Sequence, residues 1–492
     1  MSIIKVENLT FSYSSSFDNV FENVSFQIDS DWKLALVGRN GRGKTTFLNL
    51  LQNKYEYSGK IYSSVKFDYF PYFVKDKSKL TEDILKEVCP TAEEWEFIRE
   101  LSYLDVSCDV LYREFNTLSN GEQTKVLLAA LFLNEGHFLL IDEPTNHLDL
   151  QARETLSAYL RKKKSFILVS HDRSFLDGCV DHILSLNRAN IQVQSGNYSA
   201  FMANFERQQI FEQTQNERLQ ADIKRLQETA RQTSMWADRI EASKNGTRNS
   251  GLRPDRGYIG HKSAKMMKRA KSAEARFQKE IEEKSNLLKN TEIESSLKIA
   301  PMEYRFERLA SFFDVVPIYD GRRVCSPATF EIKRGERIAV EGKNGSGKSS
   351  LLKLLCGKSI EHKGKIEIGS NLKISYISQD TSYLQGSLTD FAYAHNIDES
   401  LFKTILFKMG FDKIQFEKNI SDFSDGQKKK TLIARSLCEK AHLYVWDEPL
   451  NFIDIYSRIQ IENLLCEFKP TMVFVEHDKT FQDKIATSVI RL

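Results

Sequence analysis

Long hydrophobic runs are missing from this chain. Its longest uninterrupted apolar stretch is Val126–Leu133, well short of the about 20 residues that a membrane-spanning helix needs, so no transmembrane segment is expected. The opening residues Met1-Ser-Ile-Ile-Lys5 supply neither the basic start nor the apolar core of a secretory signal, which makes a cytoplasmic protein the expectation. Cysteine is sparse: 7 residues, at 89, 108, 179, 325, 356, 438 and 466, with no C-x-x-C pair. An odd, scattered set fits neither a disulfide framework nor a zinc cluster, and these side chains are expected to be reduced core residues. Net charge is also small, +3 over 492 residues, yet it is unevenly placed. Arg239–Lys271 holds ten Lys/Arg against Glu241 and Asp255, a local +8 that leaves −5 for the rest. Such a concentration points to an anionic partner.

What the sequence does contain is ordinary globular material, 41% hydrophobic and 28% charged, in a length that suggests about three units. It also contains the same ordered set of short segments twice. Gly38-Arg-Asn-Gly-Arg-Gly-Lys44-Thr45 returns as Gly342-Lys-Asn-Gly-Ser-Gly-Lys348-Ser349. Each copy follows a short apolar strand candidate (Leu34–Val37; Ile338–Val340) and precedes a Leu-rich helical pattern (Phe47–Leu51; Leu351–Leu355). This is the strand, glycine loop and helix setting of a phosphate-binding loop. Gly38, Asn40, Gly41, Gly43, Thr46 and their counterparts Gly342, Asn344, Gly345, Gly347, Ser350 shape it, so that backbone N–H groups and the helix N-terminus surround phosphate oxygens. Lys44 and Lys348 are expected on the β- and γ-phosphates, and Thr45 and Ser349 on Mg²⁺.

One such loop can arise by chance; its companions settle the matter. Leu118-Ser-Asn-Gly-Glu-Gln123 matches Phe423-Ser-Asp-Gly-Gln-Lys428, Asp142-Glu-Pro144 matches Asp447-Glu-Pro449, and Ser170-His-Asp172 matches Glu476-His-Asp478. Lys44 to Gly121 is 77 residues and Lys348 to Gly426 is 78, whereas Gly121 to Asp142 and Gly426 to Asp447 are both 21. Glu143 to His171 is 28 and Glu448 to His477 is 29. On these residues the chain resembles the ABC ATPase family, with its loop, signature, Walker B and switch-histidine elements present in order, twice. The resemblance implies two tandem α/β P-loop domains, at 1–200 and 301–492, that pair within one monomer around two ATP molecules. It implies that Ser119 and Gly121 complete the site built on Lys348, and that Ser424 and Gly426 complete the site built on Lys44. It further assigns Asp142 and Asp447 to Mg²⁺, Glu143 and Glu448 to the attacking water, and His171 and His477 to the γ-phosphate, roles that suit a reaction made mainly of positioning and charge neutralisation. Tyr13 is placed either to stack on adenine or simply to pack in its strand. Aligning Tyr69-Phe-Pro-Tyr72 with Tyr376-Ile-Ser-Gln379 puts Tyr72 where the family has a metal-facing glutamine, which Gln379 keeps. Leu450 and Phe452 stand in for Thr145 and His147, so the two sites are expected to be unequal.

Residues 201–300 have no duplicate. Leu219, Ile223, Leu226 and Ala230, then Met267, Ala270, Phe277, Ile281 and Leu288, recur at helical spacing, while glycines and Pro254 interrupt 245–261. An antiparallel α-helical hairpin linker with an irregular tip is expected. Arg248, Arg253, Arg256 and Lys262 surround Leu252, Tyr258 and Ile259 there, with Lys265, Lys268 and Arg269 behind. Basic side chains neutralise phosphates and an aromatic tip stacks on unpaired bases, a combination suited to structured RNA; a solvated basic linker is the plain alternative.

Tandem ABC domains with such a linker resemble the ABC-F family. No arm is inserted between loop and signature of the first half, and this, with the Gly-Arg-Asn-Gly-Arg-Gly-Lys loop, Phe70-Pro-Tyr72 and the stop after the last strand, makes the chain most similar to the antibiotic-resistance type, the Lsa group. That resemblance implies ATP-dependent protection of the bacterial 70S ribosome from the exit site. The linker would reach 23S rRNA and P-site tRNA and displace lincosamides, streptogramin A and pleuromutilins. The alternatives are an ABC-F translation factor without a drug role and the ATPase subunit of a membrane transporter.

Overall fold

The computed structural model describes residues 2–13, 19–146, 148–186, 191–242, 297–319 and 321–492, with single positions between 261 and 279. The chain forms two compact units, one of Met1–Phe201 with Glu294–Leu492 and one of Met202–Ile293.

In the larger unit the strands of the first half are β1 (Ile3–Phe11), β2 (Phe21–Asp29), β3 (Lys33–Gly38), β4 (Ser58–Tyr62), β5 (Lys66–Phe70), β6 (His137–Asp142), β7 (Phe166–Val169), β8 (His182–Leu186) and β9 (Ile191–Ser195). Those of the second half are β10 (Arg308–Tyr319), β11 (Arg322–Arg323), β12 (Ala328–Lys333), β13 (Arg337–Glu341), β14 (His362–Ile368), β15 (Ile374–Ile377), β16 (Leu443–Asp447), β17 (Met472–Val475) and β18 (Ser488–Arg491). Each half pairs a mainly parallel sheet, ordered β5-β6-β7-β3-β8-β9 or β15-β16-β17-β13-β18, with a smaller antiparallel one centred on β1 or β10. The parallel strands are near-continuous apolar runs: Phe166-Ile-Leu-Val169 and Met472-Val-Phe-Val475 are buried along their whole length, as strands covered on both faces must be. The expected α/β class is what the chain adopts.

This topology sets the loops after β3, β6 and β7, and after β13, β16 and β17, side by side at the carboxyl ends of adjacent strands, where open α/β sheets bind ligands. Helices Lys44–Leu51 and Lys348–Leu355 leave from the first of these loops in each half. A helical group caps one end of each sheet, made of Thr81–Val88, Glu94–Tyr103 and Asn120–Leu131 in the first half. Its counterpart is Leu388–Ala394, Glu399–Lys408 and Asp425–Cys438.

The smaller unit takes up the helix Tyr198–Ala242, whose 45 residues span about 68 Å. Along it Leu219, Ile223 and Leu226 are half-buried among exposed neighbours, at the spacing the sequence suggested. Positions 261, 264, 265, 268, 272, 275–277 and 279 are helical as well, and Lys265 and Lys268 are exposed. Arg248, Leu252, Arg253, Arg256, Tyr258, Ile259, Lys262 and Arg269 of the expected tip lie outside the described residues, as does His147. Among the described residues no helix is long and apolar enough to cross a membrane.

Candidate active site

The glycine loops are built by necessity rather than preference. Gly43 and Gly347, the residues before the two loop helices, have φ of 85° and 86°, a region closed to most side chains. A Cβ on Gly43 would also lie 2.5 Å from Val20 Cγ1. The loops curl around their own lysines. Lys44 Nζ donates to the carbonyls of Gly38 (2.8 Å) and Arg39 (3.3 Å) and to Asn40 Oδ1 (3.3 Å). Lys348 Nζ donates to the carbonyls of Gly342 (2.8 Å) and Lys343 (2.9 Å). Burial lowers the proton affinity of both ammonium groups, as expected for cations that have left water before their anionic ligand arrives.

Next to each lysine a hydroxyl meets a carboxylate from the neighbouring strand. Thr45 Oγ1 donates to Asp142 Oδ2 at 2.8 Å and Ser349 Oγ to Asp447 Oδ1 at 3.1 Å. Burial raises Asp142 above the usual carboxylate range and Asp447 to about 6. Asp447 Oδ2 is buried with no hydrogen-bond partner among the described residues. A hard divalent cation would meet both needs, since it takes oxygen ligands and favours the ionised carboxylate. These pairs therefore fit Mg²⁺.

One residue further on, Glu143 and Glu448 are held at φ 51° and 48°, backbone values rare outside glycine that collect at functional sites. His171 Nε2 stands 3.3 Å from Glu143 Oε1, and His477 Nε2 stands 3.4 Å from Glu448 Oε1. The two glutamates are otherwise treated differently. Glu448 Oε2 accepts from Gln379 Nε2 (2.9 Å) and Asn451 Nδ2 (2.7 Å). Burial works against its charge, but His477 and Lys429 hold it below the usual range. Glu143 is pushed up to about 8, by burial first and by the Asp142 charge second. His171 is carried well below its normal value by burial and then by Lys44 and Arg458, so it stays neutral.

Across the unit each half faces the other's loop. A cavity of about 660 Å³ is lined by Ser119, Gly121 and Asp149 from the first half and by Asn344, Gly345, Lys348, Ser349, Gln379, Glu448 and His477 from the second. Its volume is that of a small-molecule site. Ser119 and Ser424 cap the helices that begin at Asn120 and Asp425, each in a reciprocal capping box with Glu122 or Gln427. The N–H groups of the first helix turn thus face the opposing loop, an arrangement that suits anions. On the other side Asn40 Nδ2 donates to the Phe452 carbonyl at 2.7 Å. Gly426 lies under that bond: a Cβ there would come within 2.5 Å of the carbonyl oxygen and 2.8 Å of Asn40 Nδ2.

One reading from the sequence changes. Tyr72 does not take the metal-facing position; it lines an open groove with Lys54, Lys66 and Phe73. The hydroxyl that reaches Asp142 Oδ2, at 3.2 Å, is that of Tyr69 on β5. Tyr13 and its second-half counterpart Tyr319 stand alike: their hydroxyls meet Thr46 Oγ1 at 2.6 Å and Ser350 Oγ at 3.1 Å. The sequence reading missed a set of interface residues altogether. Asp454, paired with Lys430 at 2.6 Å, is the leading counter-charge of Lys44 from the opposite half, and Asp149 lies near Lys348. Arg153 Nη1 donates to Asp172 Oδ2 (3.0 Å) and to the His477 carbonyl (3.4 Å). Arg173 pairs with Glu462 and Asp478. The only advance signal was that Asp149 and Asp454, and Arg153 and Arg458, recur at equal offsets in both halves.

Comparison with known proteins agrees with this geometry. The family profile described as ABC transporter matches residues 21–146 and 325–451. The chain is 27% identical over 496 residues to the ribosome protection protein VmlR of Bacillus subtilis (strain 168), covering 97% of this chain and 84% of that one. It is 26% identical over 503 residues to the ATP-binding protein Uup of Buchnera aphidicola, covering 98% and 79%. Among solved structures, the complex of archaeal ribosomal stalk protein aP1 with ribosome recycling factor aABCE1 superposes with a TM-score of 0.62 at 20% identity, over 98% of this chain and 87% of that one; this shows a shared fold.

Proposed function

This chain belongs to the ABC transporter family and is an ATPase, and from that premise we propose that it is an ABC-F ribosome protection factor. ATP binding would draw its two halves together on the exit site of the bacterial 70S ribosome, and its linker would displace a drug from the peptidyl transferase centre. One observation carries the reading: between two halves that share nucleotide sites within a single chain runs a helix of 45 residues, leading into a segment of charge +8. A long element ending in concentrated positive charge suits a distant polyanion, and rRNA with P-site tRNA is one. The similarity to a protein named for ribosome protection supports the same reading, with the Lsa-like drug spectrum as its finest step.

Within each site the residues divide the work of phosphoryl transfer. Lys44 and Lys348, with the loop N–H groups, hold the β- and γ-phosphates, while Ser119–Gly121 and Ser424–Gly426 close on the γ-phosphate from the opposite half. Glu143 and Glu448 orient the attacking water, and His171 and His477, which stand beside those carboxylates, sense the γ-phosphate. Mg²⁺, held by Thr45 with Asp142 and by Ser349 with Asp447 and Gln379, would neutralise charge developing on the phosphates.

The test is co-sedimentation with 70S ribosomes. The Glu143→Gln, Glu448→Gln double variant should bind ATP, turn it over very slowly and accumulate on ribosomes only when ATP is present. Deleting 245–261 should abolish drug resistance and spare basal ATPase. Failure to sediment with ribosomes, or fractionation with membranes instead, would overturn the reading in favour of a transporter ATPase.

A further inference from the structure

The two halves fasten the loop after the catalytic glutamate by different chemistry. In the first half Thr145 Oγ1 and Ser170 Oγ share a hydrogen bond of 3.2 Å, which ties that loop to the end of β7. In the second half the same positions hold Leu450 and Glu476, so no hydroxyl pair can form. Glu476, only 4% exposed, instead reaches past the leucine side chain to the backbone. Its Oε1 accepts the Leu450 N–H at 2.7 Å and its Oε2 accepts the His477 N–H at 3.3 Å. Arg458 closes the other side of the loop, donating to the carbonyls of Leu450 and Ile453, both at 2.9 Å. A buried carboxylate is costly unless its oxygens are satisfied, and here both of them are used to hold backbone.

The segment so held leads across the interface. Leu450 opens a turn closed by Ile453 N–H to Leu450 carbonyl at 3.0 Å, and within it Phe452 has φ 64°, an unfavourable value for a bulky side chain. That conformation presents the Phe452 carbonyl to Asn40 Nδ2 at 2.7 Å. The other end of the Asn40 amide accepts from Lys44 Nζ at 3.3 Å. A line of contacts therefore runs from the backbone of the second-site histidine, through one carboxylate and one strained turn, to the phosphate-binding lysine of the first site.

We propose that Glu476 is a positioning residue that couples the second nucleotide site to the first, by fixing the Leu450–Ile453 turn on which the first site's phosphate loop rests. The coupling is lopsided: in the first half Arg153 Nε likewise holds the Leu148 carbonyl at 3.0 Å and Ser170 Oγ accepts the Asp172 N–H at 3.2 Å, but the tie from the end of β7 to the loop is the Thr145–Ser170 hydroxyl pair and not a carboxylate. The inference rests on the assignment of Glu143 and Glu448 as the water-orienting residues, because the two sites are separated by changing them one at a time.

The experiment uses the full chain and single-turnover phosphate release. With Glu448→Gln the remaining hydrolysis is that of the first site, and with Glu143→Gln that of the second. In the Glu448→Gln background, Glu476→Ala and Glu476→Asp should each lower the first-site rate about tenfold, the factor expected for losing one well-placed hydrogen bond. The aspartate keeps the carboxyl group but is one methylene too short. Glu476→Gln, which keeps an acceptor oxygen, should stay within about twofold, and Leu450→Thr with Glu476→Ser, which rebuilds the hydroxyl pair, should recover at least half of the rate lost in Glu476→Ala. In the Glu143→Gln background, Ser170→Ala should leave the second-site rate within about twofold. Thermal unfolding of each variant checks that it is folded, and Glu476→Asp serves if Glu476→Ala is not. First-site rates unchanged in both short variants, or lowered as much in Glu476→Gln, would overturn the coupling. If Glu448→Gln and Glu143→Gln fail to slow turnover at all, it is the site assignment that falls.

Discussion

Removing the Arg173 guanidinium tests whether the two halves are held by a buried charge cluster. Arg173 lies in the first half with its side chain 12% exposed, and its partners Glu462 and Asp478, both 1% exposed, lie in the second. Breaking a buried ion pair by deleting one partner costs about 3–5 kcal/mol, because the other charge stays behind. Both carboxylates here keep a second cation: Lys484 at 3.2 Å from Glu462 and Arg458 at 3.1 Å from Asp478. The loss in Arg173→Met is therefore placed at the low end, about 2–3 kcal/mol. For a body of this size that corresponds to a fall in Tm of about 2–4 °C, read by calorimetry. Because the cluster is buried, the fall should persist at about 1 M salt, where exposed pairs are screened. Glu462→Leu in the same chain should give a double-mutant coupling of about 1–3 kcal/mol with Arg173→Met. A Tm shift that vanishes in high salt, or additive single effects, would refute the claim that this contact holds the halves together.

Three further outcomes follow from the site. Gly426→Ala places a methyl where 2.5 Å separates it from the Phe452 carbonyl; first-site hydrolysis in the Glu448→Gln background should fall by about tenfold or more, and a rate within twofold would show that the bond to Asn40 is dispensable. Tyr69→Phe removes a donor that competes for Asp142 Oδ2, so the Mg²⁺ concentration giving half-maximal first-site hydrolysis should drop; Tyr72→Phe should leave it unchanged, and the reverse pattern would restore the alignment that favoured Tyr72. Glu476 is raised by burial from 4.5 to about 7. Between those values the folded chain holds a proton that the unfolded chain has released, so stability falls as pH rises through that window. The Tm of Glu476→Gln minus that of the parent should accordingly grow from pH 5 to pH 8, and a shrinking difference would reverse the sign of the argument.

The features legible in the sequence are those carried by short contiguous segments. The loops at Gly38–Thr45 and Gly342–Ser349 need glycine for backbone conformation and lysine for charge, so composition and order are enough to find them. The strand candidates Leu34–Val37 and Ile338–Val340 read correctly, within β3 and β13, because burial leaves an unbroken apolar run there. The alignment of Tyr72 with Gln379 matched positions along the chain, whereas the contact of Tyr69 with Asp142 needs β5 and β6 folded side by side. The interface contacts had no local trace at all. Asn40 and Phe452 are 412 residues apart, and Arg173 and Glu462 are 289 apart, so only the folded pairing of the halves brings them together. Glu476 was visible as the partner of Ser170, but its meaning depends on Leu450, and the two changes make sense only when seen in contact.

The two sites differ in structure beyond the residues that differ at first sight. At the second site Glu448 is oriented from three directions, by His477, Gln379 and Asn451, and its charge is favoured. A water-orienting carboxylate needs both conditions, a fixed direction and the ionised form. At the first site burial and Asp142 work against the charge of Glu143, and the metal-side carboxylate is occupied by Thr45 and Tyr69. The second site's cavity faces the signature helix of the first half, and the first site's loop meets the Phe452 carbonyl through Asn40. On these grounds the second site is expected to turn over faster, and single-turnover phosphate release in Glu143→Gln against Glu448→Gln reads the difference; a faster first site would reverse the argument.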